Sequence, residues 1–468
     1  MKRSFTQIAL IVCAIWVFYN TIFSGSILYF DALGYEQLGK TLAHGQWIEY
    51  LSAGPSREPL YPLFVAFNMR AADLMRIPYL QLLLLTQGLI LLTAQLMMAG
   101  IFRRIELSDK LSAFLLVCFV LSPTVLRASL IVYSEIVTFP LMLLPCLAAL
   151  YVWQGVSTAG NFARHHKKYA LILGGSFLPI MFVKGIFEMI APVCIVLVTI
   201  ALWARFRAKN ATLRHMMIFL VIGLTIFAVP VNAYKMLNKI FNGNFVFTNR
   251  GSGALYGTTA RRVLPTTPQE ELAQKLYVLP DKSICDQYAG KDACAHWFYH
   301  LSDQIGADMY ETLRAKNVPV KEIDKQFTFL SFKLMRAHPF KTMKGMFWEG
   351  AKLLFWEYPS WGMVILPRDV RYVYEQPFLY SAYLYGVNGI SVIFFILSIV
   401  CAGWYWRRFL TGQDRALNCL VITLMLIMVY SAVHSFFFLN ERNALPIVPL
   451  FIVLYGSFLK CIWPQRKI

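Results

Sequence analysis

The chain has 468 residues, of which 58% are hydrophobic, and its mean hydropathy is +0.54. That composition excludes a chain of soluble domains, although the length would accommodate about two or three of them. The formal charge of +19 does not point to nucleic acid: no nucleic-acid motif is present, and the basic residues cluster in short loops between apolar runs.

A run of about 20 apolar residues crosses a bilayer as a helix, because each backbone polar group must be paired internally there. About ten such runs are predicted, near 8–28, 78–102, 111–127, 135–153, 169–187, 188–205, 215–236, 378–406, 415–438 and 444–463. The first follows Met1-Lys2-Arg3 like a signal peptide, but it is long and lacks a clean cleavage site, so it reads as a retained helix. Arg103, Arg104 and Lys110, then Arg164, Lys167 and Lys168, then Arg205, Arg207, Lys209 and Arg214, and finally Arg407-Arg408 and Arg466-Lys467 all fall on the same side of this topology. The positive-inside bias makes that side cytoplasmic, with both termini there and anionic membrane lipid as a partner.

The first outer loop, 29–77, begins with Asp31, where the first helix is expected to end. Tyr35, Leu38 and Leu42 recur at near-helical spacing and predict a short helix at the bilayer surface. A Gly/Pro-bounded turn leads to Arg57-Glu58-Pro59. The chain divides into 1–236, a long polar segment 237–377, and 378–468. The polar segment opens with FNGNFVFTNRGSGALYGTTARR, a loop composition, and its middle is mixed and helical in character. Its end, Phe327 to Trp361, is basic and aromatic and is broken by His338-Pro339 and Pro359, which suggests helices lying on the membrane surface. Seven of the nine cysteines fall in predicted helices as buried apolar residues. Cys285 and Cys294, either side of a Gly turn in this segment, suit a disulfide if the compartment is oxidising; with only His296 nearby, a zinc site is incomplete.

Six residues stand out chemically. Asp31 suits a helix N-cap or a general base. Glu135 opens an apolar helix behind Ser134, an arrangement that serves either a cap and helix dipole or a site. Arg57, Lys184, Arg250 and Arg442 are cations at or near the same surface. Snorkelling is the alternative for Lys184, lipid anchoring the alternative for Arg442, and Gly neighbours mark Arg250 as a loop residue. Glu188 and Glu441 are possible partners for these cations, and His434 reads as a buried structural histidine. No Walker loop, nucleophile elbow, HExxH or placed GxGxxG is present.

Asp31 to Leu63, Pro123 to Leu144 and Glu441 to Pro449, in that order and on one side of the membrane, resemble the corresponding stretches of GT-C superfamily membrane glycosyltransferases. The likeness is to bacterial members that decorate envelope glycans such as lipopolysaccharide. It is more distant to protein O-mannosyltransferases and lipid A aminoarabinose transferases. The resemblance implies an all-α polytopic membrane protein with about ten transmembrane helices, an interfacial first-loop helix and a mainly helical extracytoplasmic segment. It implies an enzyme of the cytoplasmic membrane, working at the outer face and inverting at the anomeric carbon. One sugar would move from a polyprenyl-phosphate donor to a glycan or glycolipid acceptor. Asp31 would act as base and Glu135 as second acid. Arg57, Lys184, Arg442 and Arg250 would bind the donor phosphate. A divalent cation, Mg²⁺ or Mn²⁺, is a further possibility on Asp31, Glu135 or Glu58. The rivals are a lipid-linked glycan flippase or transporter and an O-antigen-type polymerase or ligase. A transporter predicts a repeat and ionisable groups mid-membrane, and the sequence has no repeat.

Overall fold

The structure, a computed structural model, describes residues 4–29, 31–52, 57–156, 159–206, 213–248, 251–263, 267–279, 282–298, 301–358, 364–374, 376–412, 414–437 and 441–463. The chain is a helical, multi-pass membrane protein. Among the described residues, eight helices are long and apolar enough to cross a membrane: Phe5–Phe23, Tyr79–Arg104, Glu135–Gly155, Phe187–Phe206, Leu213–Asn242, Tyr380–Trp404, Arg415–Phe437 and Arg442–Ile462. Asp109–Leu121 and Pro123–Leu130, bent by 56°, make a ninth if they are one span. The predicted run 169–187 falls in the helix Ala159–Ser176 and the short Leu178–Met181. Arg164, His165, His166, Lys167 and Lys168 occupy the middle of Ala159–Ser176, so the apolar length of this helix alone falls short of a crossing.

The most enclosed helix is the last, 78% buried over its apolar window, and Glu135–Gly155 and Arg415–Phe437 pack beside it. The first helix and Leu213–Asn242 are 28% buried and leave Ile8, Val12, Ile15, Val221 and Val229 on the perimeter, as lipid-facing helices do. Ala159–Ser176 presses against Leu213–Asn242 so closely that a Cβ on Gly174 would stand 2.3 Å from the carbonyl oxygen of Gly223. Small residues permit this backbone approach.

The chain departs from the predicted boundaries in several places. The first helix stops at Phe23, not near 28, because Gly25–Ser26 turns extended and pairs antiparallel with Val364–Ile365. Asp31 therefore opens the next helix, Asp31–Ala43, whose inner face carries Ala32, Tyr35, Gly39 and Leu42. The rest of the first loop holds a helix outside the predicted apolar runs, Leu60–Met75, which buries Tyr61, Val65 and Met69. It is too short to span, and its apolar face is one-sided. The bend between Asp109–Leu121 and Pro123–Leu130 has a local cause. Ser122 caps the second helix by accepting from Val125 N at 3.2 Å, and Pro123 takes its first position.

The polar segment is built from short helices. Part of its opening, expected to be loop, is the helix Gly251–Val263. Its Arg262 guanidinium donates to both oxygens of Glu349, at 2.9 and 2.7 Å, and Arg261 lies 3.1 Å from the same carboxylate. Burial pushes the Glu349 carboxyl up, but Arg262 and Arg261 outweigh it and hold the group below the usual range. Cys285 and Cys294 are joined by a disulfide across Lys282–Tyr288 and Lys291–Phe298, packed under Tyr277 and Trp297. Val320–Ala337 and Pro339–Lys352 meet at His338 and expose Phe329, Phe332, Phe340, Met343 and Phe347.

Glu357, fully buried after this pair, accepts from Ser122 Oγ at 2.7 Å and from Thr124 N at 2.9 Å, tying the segment to the bent helices. Burial pushes its carboxyl from 4.5 up to about 7. Such a group stabilises the fold fully below 4.5 and loses that contribution as pH rises through about 7. Glu357→Gln is expected to flatten thermal stability against pH across that window. A wild-type slope in the variant would assign the titration elsewhere.

Candidate functional site

Five of the six residues nominated from the sequence converge at one end of the helix bundle. Asp31 is the first residue of Asp31–Ala43, and Tyr35 lies one turn on. That helix packs against Leu60–Met75 at Gly39, where a Cβ would stand 2.6 Å from Val65 Cγ1. The packing brings Arg57, just before Leu60–Met75, back over Asp31. Glu135 opens Glu135–Gly155. Lys184 sits in the turn between Leu178–Met181 and Phe187–Phe206, and Arg442 in the 3-10 turn Glu441–Ile447 that leads into the last helix.

The charges interlock. Asp31 Oδ1 accepts from Arg57 Nη2, and Asp31 Oδ2 lies 2.5 Å from Arg442 Nη2. Lys184 Nζ donates to Glu135 Oε1 at 2.8 Å, and Arg442 Nε stands 4.0 Å from the same oxygen. Arg442 thus bridges the two acids. Glu58 Oε1 accepts from the Gly185 backbone N–H at 2.7 Å, and Leu60 N donates to Phe182 O at 2.9 Å, which pins the first loop to the Lys184 turn. Tyrosines floor the site. The Arg57 and Arg442 guanidinium carbons each stand 5.2 Å from a ring centroid, Tyr35 and Tyr133 respectively. Tyr35 Oη donates to Ser134 Oγ at 3.0 Å. Gln87, buried in Tyr79–Arg104, donates to the Ser129 and Ile131 carbonyls at 3.0 Å each and so holds the backbone that presents Glu135.

Three sequence readings are refined here. Ser134 does not cap the Glu135 helix through its side chain; its hydroxyl is taken by Tyr35. Lys184 does not reach outward to headgroups, because Glu135 holds it inside. Glu188 serves Lys235 at 2.6 Å and not Lys184. Arg250 lies outside the described residues. Burial pushes the Asp31 carboxyl up, but Arg442, Arg57 and Lys184 outweigh it and hold the group below the usual carboxylate range. The Asp31 side chain is 18% exposed and that of Glu135 3%, so Asp31 is the more accessible acid.

The acids do not fit a divalent cation. No group of three or more His, Cys, Asp or Glu side chains able to hold a metal occurs among the described residues. Both Asp31 oxygens and Oε1 of Glu135 already face cations, which leaves no net negative charge to offset a metal's.

Reading the sequence for acids and surface cations passed over Arg127, Tyr133 and Glu357. The signal for Arg127 was present, an arginine inside the apolar stretch between Pro123 and Glu135. No family model matches this chain, and neither a curated protein nor a solved structure matches it.

Proposed function

We propose that this protein is a GT-C-type inverting glycosyltransferase that moves one sugar from a polyprenyl-phosphate donor to a glycan or glycolipid acceptor. The observation that carries this reading is the convergence of Asp31, Glu135, Arg57, Lys184 and Arg442, from four separate stretches of chain, at one end of an apolar bundle. Ionisable groups are costly at such a place and mark function there. The proposed setting is the cytoplasmic membrane. In this reading the bent helix pair is one span, Ala159–Ser176 continued by Leu178–Met181 up to Lys184 is another, both termini are cytoplasmic and the site faces outward. The basic residues at the far end of the bundle support that orientation.

In the proposed reaction the acceptor hydroxyl gives its proton to an Asp31 oxygen. Its oxygen attacks the anomeric carbon opposite the phosphate, the carbon–oxygen bond to phosphate breaks, and the electron pair leaves on the phosphate oxygen. Configuration at that carbon inverts. Arg57 and Arg442 stabilise the growing phosphate charge. Their shift toward the incoming phosphate weakens their hold on Asp31, which restores basicity that the resting ion pairs suppress. Glu135 acts as a positioning residue, holding Lys184 and Arg442 toward the same site.

The test is donor turnover by the purified full-length chain. A panel of polyprenyl-phosphate monosugars is offered with a crude envelope-glycan acceptor, with and without a metal chelator. Sugar transfer is expected from at least one donor, and chelator should leave the rate unchanged. Consumption of none of the donors would overturn the reading in favour of transport or of a diphosphate-linked glycan polymerase or ligase. Loss of transfer with chelator would contradict the metal-free site.

A further inference from the structure

Arg127 lies within the helix Pro123–Leu130, just past the bend at Ser122. The residue is 9% exposed, and its Nε is buried without a hydrogen-bond partner. Among the described residues it makes no ion pair and no hydrogen bond; its Cζ lies over the Tyr358 ring, 5.5 Å from the centroid. Arg57, Lys184 and Arg442 are all matched by Asp31 or Glu135. Arg127 is therefore a buried cation with no acid of its own, beside a cluster in which every cation has one. Guanidinium does not shed its proton to escape such a place, so the charge persists.

Two tyrosines say what it lies near. Tyr133 is within electrostatic reach of Arg127 and also of Asp31, Glu135 and Arg442, which puts Arg127 on the flank of the same site. Tyr380 is within reach of Arg127 as well, and its hydroxyl is buried with no hydrogen-bond partner among the described residues. Glu357 also faces Tyr380, but its oxygens accept from Ser122 and Thr124. The flank thus offers a guanidinium and a phenol, both donors and both idle. A tetrahedral oxyanion accepts from such a pair, and arginine is the side chain suited to bind it through two N–H groups at once.

We propose that Arg127, with Tyr380 beside it, is a phosphate-binding site, and that its ligand is the phosphate of the polyprenyl-phosphate donor. The identity of that ligand rests on the glycosyltransferase reading; the site itself does not. In this arrangement the phosphate approaches Arg127 first, the one cation that gives up no partner to receive it. Only then does it compete for Arg57 and Arg442.

The test is equilibrium binding to the full chain in nanodiscs of zwitterionic lipid, with three probes: a long-chain polyprenyl monophosphate, the matching polyprenol and phosphatidylglycerol. The wild type is expected to prefer the monophosphate to the polyprenol. Arg127→Met should weaken monophosphate binding at least about tenfold and leave the polyprenol unchanged. Arg127→Lys should restore part of the loss. Arg127→Met should also unfold at a temperature no lower than the wild type, since it removes an unmatched buried charge; an arginine present for packing would lower that temperature. Should Arg127→Met fail to fold, Tyr380→Phe, which deletes a single hydroxyl, carries the test, and a several-fold loss for monophosphate alone is the supporting result. Unchanged monophosphate affinity in the folded variants overturns the site while the donor reading stands. Equal wild-type affinity for polyprenol and monophosphate overturns both. Phosphatidylglycerol binding as tightly, with the same loss in Arg127→Met, upholds the phosphate site and reassigns its ligand to a phospholipid headgroup.

Discussion

Asp31→Asn is expected to lower sugar transfer by about 10²–10⁴-fold, the range a general base supplies, in a protein that stays folded and membrane-inserted. Asparagine keeps the shape and one acceptor oxygen but not the charge that takes a proton. The geometry sharpens the expectation beyond simple loss. Arg57 and Arg442 both rest on Asp31, and in the variant both are released toward an incoming anion. Donor affinity should therefore hold or rise while kcat falls. A residue serving only the fold would lower stability and weaken donor binding together. The resting pH profile follows from the same contacts. Burial raises the Asp31 carboxyl, yet Arg442 and Arg57 bring it below the ordinary value of 3.8. The stabilising contribution of a depressed carboxyl is present above that value and lost as pH falls through the folded one. Wild-type structure at this end of the bundle should accordingly be insensitive to pH from neutral to mildly acid and weaken only in strong acid. Near-normal turnover by Asp31→Asn would sink the assignment of the base.

The second large effect is on stability. Glu349 lies fully buried between Arg261 and Arg262, and its removal leaves two buried guanidinium groups without their shared acid. Breaking a buried pair by deleting one partner costs about 3–5 kcal/mol, because the remaining charge stays desolvated. Glu349→Gln should lower the thermal unfolding temperature of the polar segment accordingly. The loss extends to the membrane part, since Arg262 also donates to the carbonyls of Ser435 and Phe436 at the end of Arg415–Phe437. Adding Arg262→Met to Glu349→Gln should recover part of the loss, and the size of the recovery measures the coupling. If Glu349→Gln unfolds with the wild type, the triad is not what joins the segment to the bundle.

Much of the site was legible because charge is conspicuous in an apolar chain. Asp31, Arg57, Glu135, Lys184 and Arg442 each interrupt or border a run that a bilayer would accept without them, and each can be named from that alone. Their pairing was not legible. Arg57 reaches Asp31 across 26 positions and Lys184 reaches Glu135 across 49, distances at which no helical or strand period connects side chains. Snorkelling to headgroups was the alternative for Lys184, and only the fold encloses it with Glu135. Arg127 failed to attract notice for the opposite reason. It stands in a stretch whose acid drew attention first, and its lack of a partner is a property of the packed structure.

By itself, then, the sequence determined that this chain lives in a membrane, roughly where it crosses, and which side chains are too polar to be there without purpose. Those follow from apolar run length and from the cost of burying charge, both local quantities. The tertiary structure alone decided that the first helix ends at Phe23, that Gly251–Val263 is helical, that Glu357 ties the polar segment to the bent helices, and which acid answers which base. Those depend on contacts between residues far apart in the chain, where close packing and mutual neutralisation of buried charge override local preference.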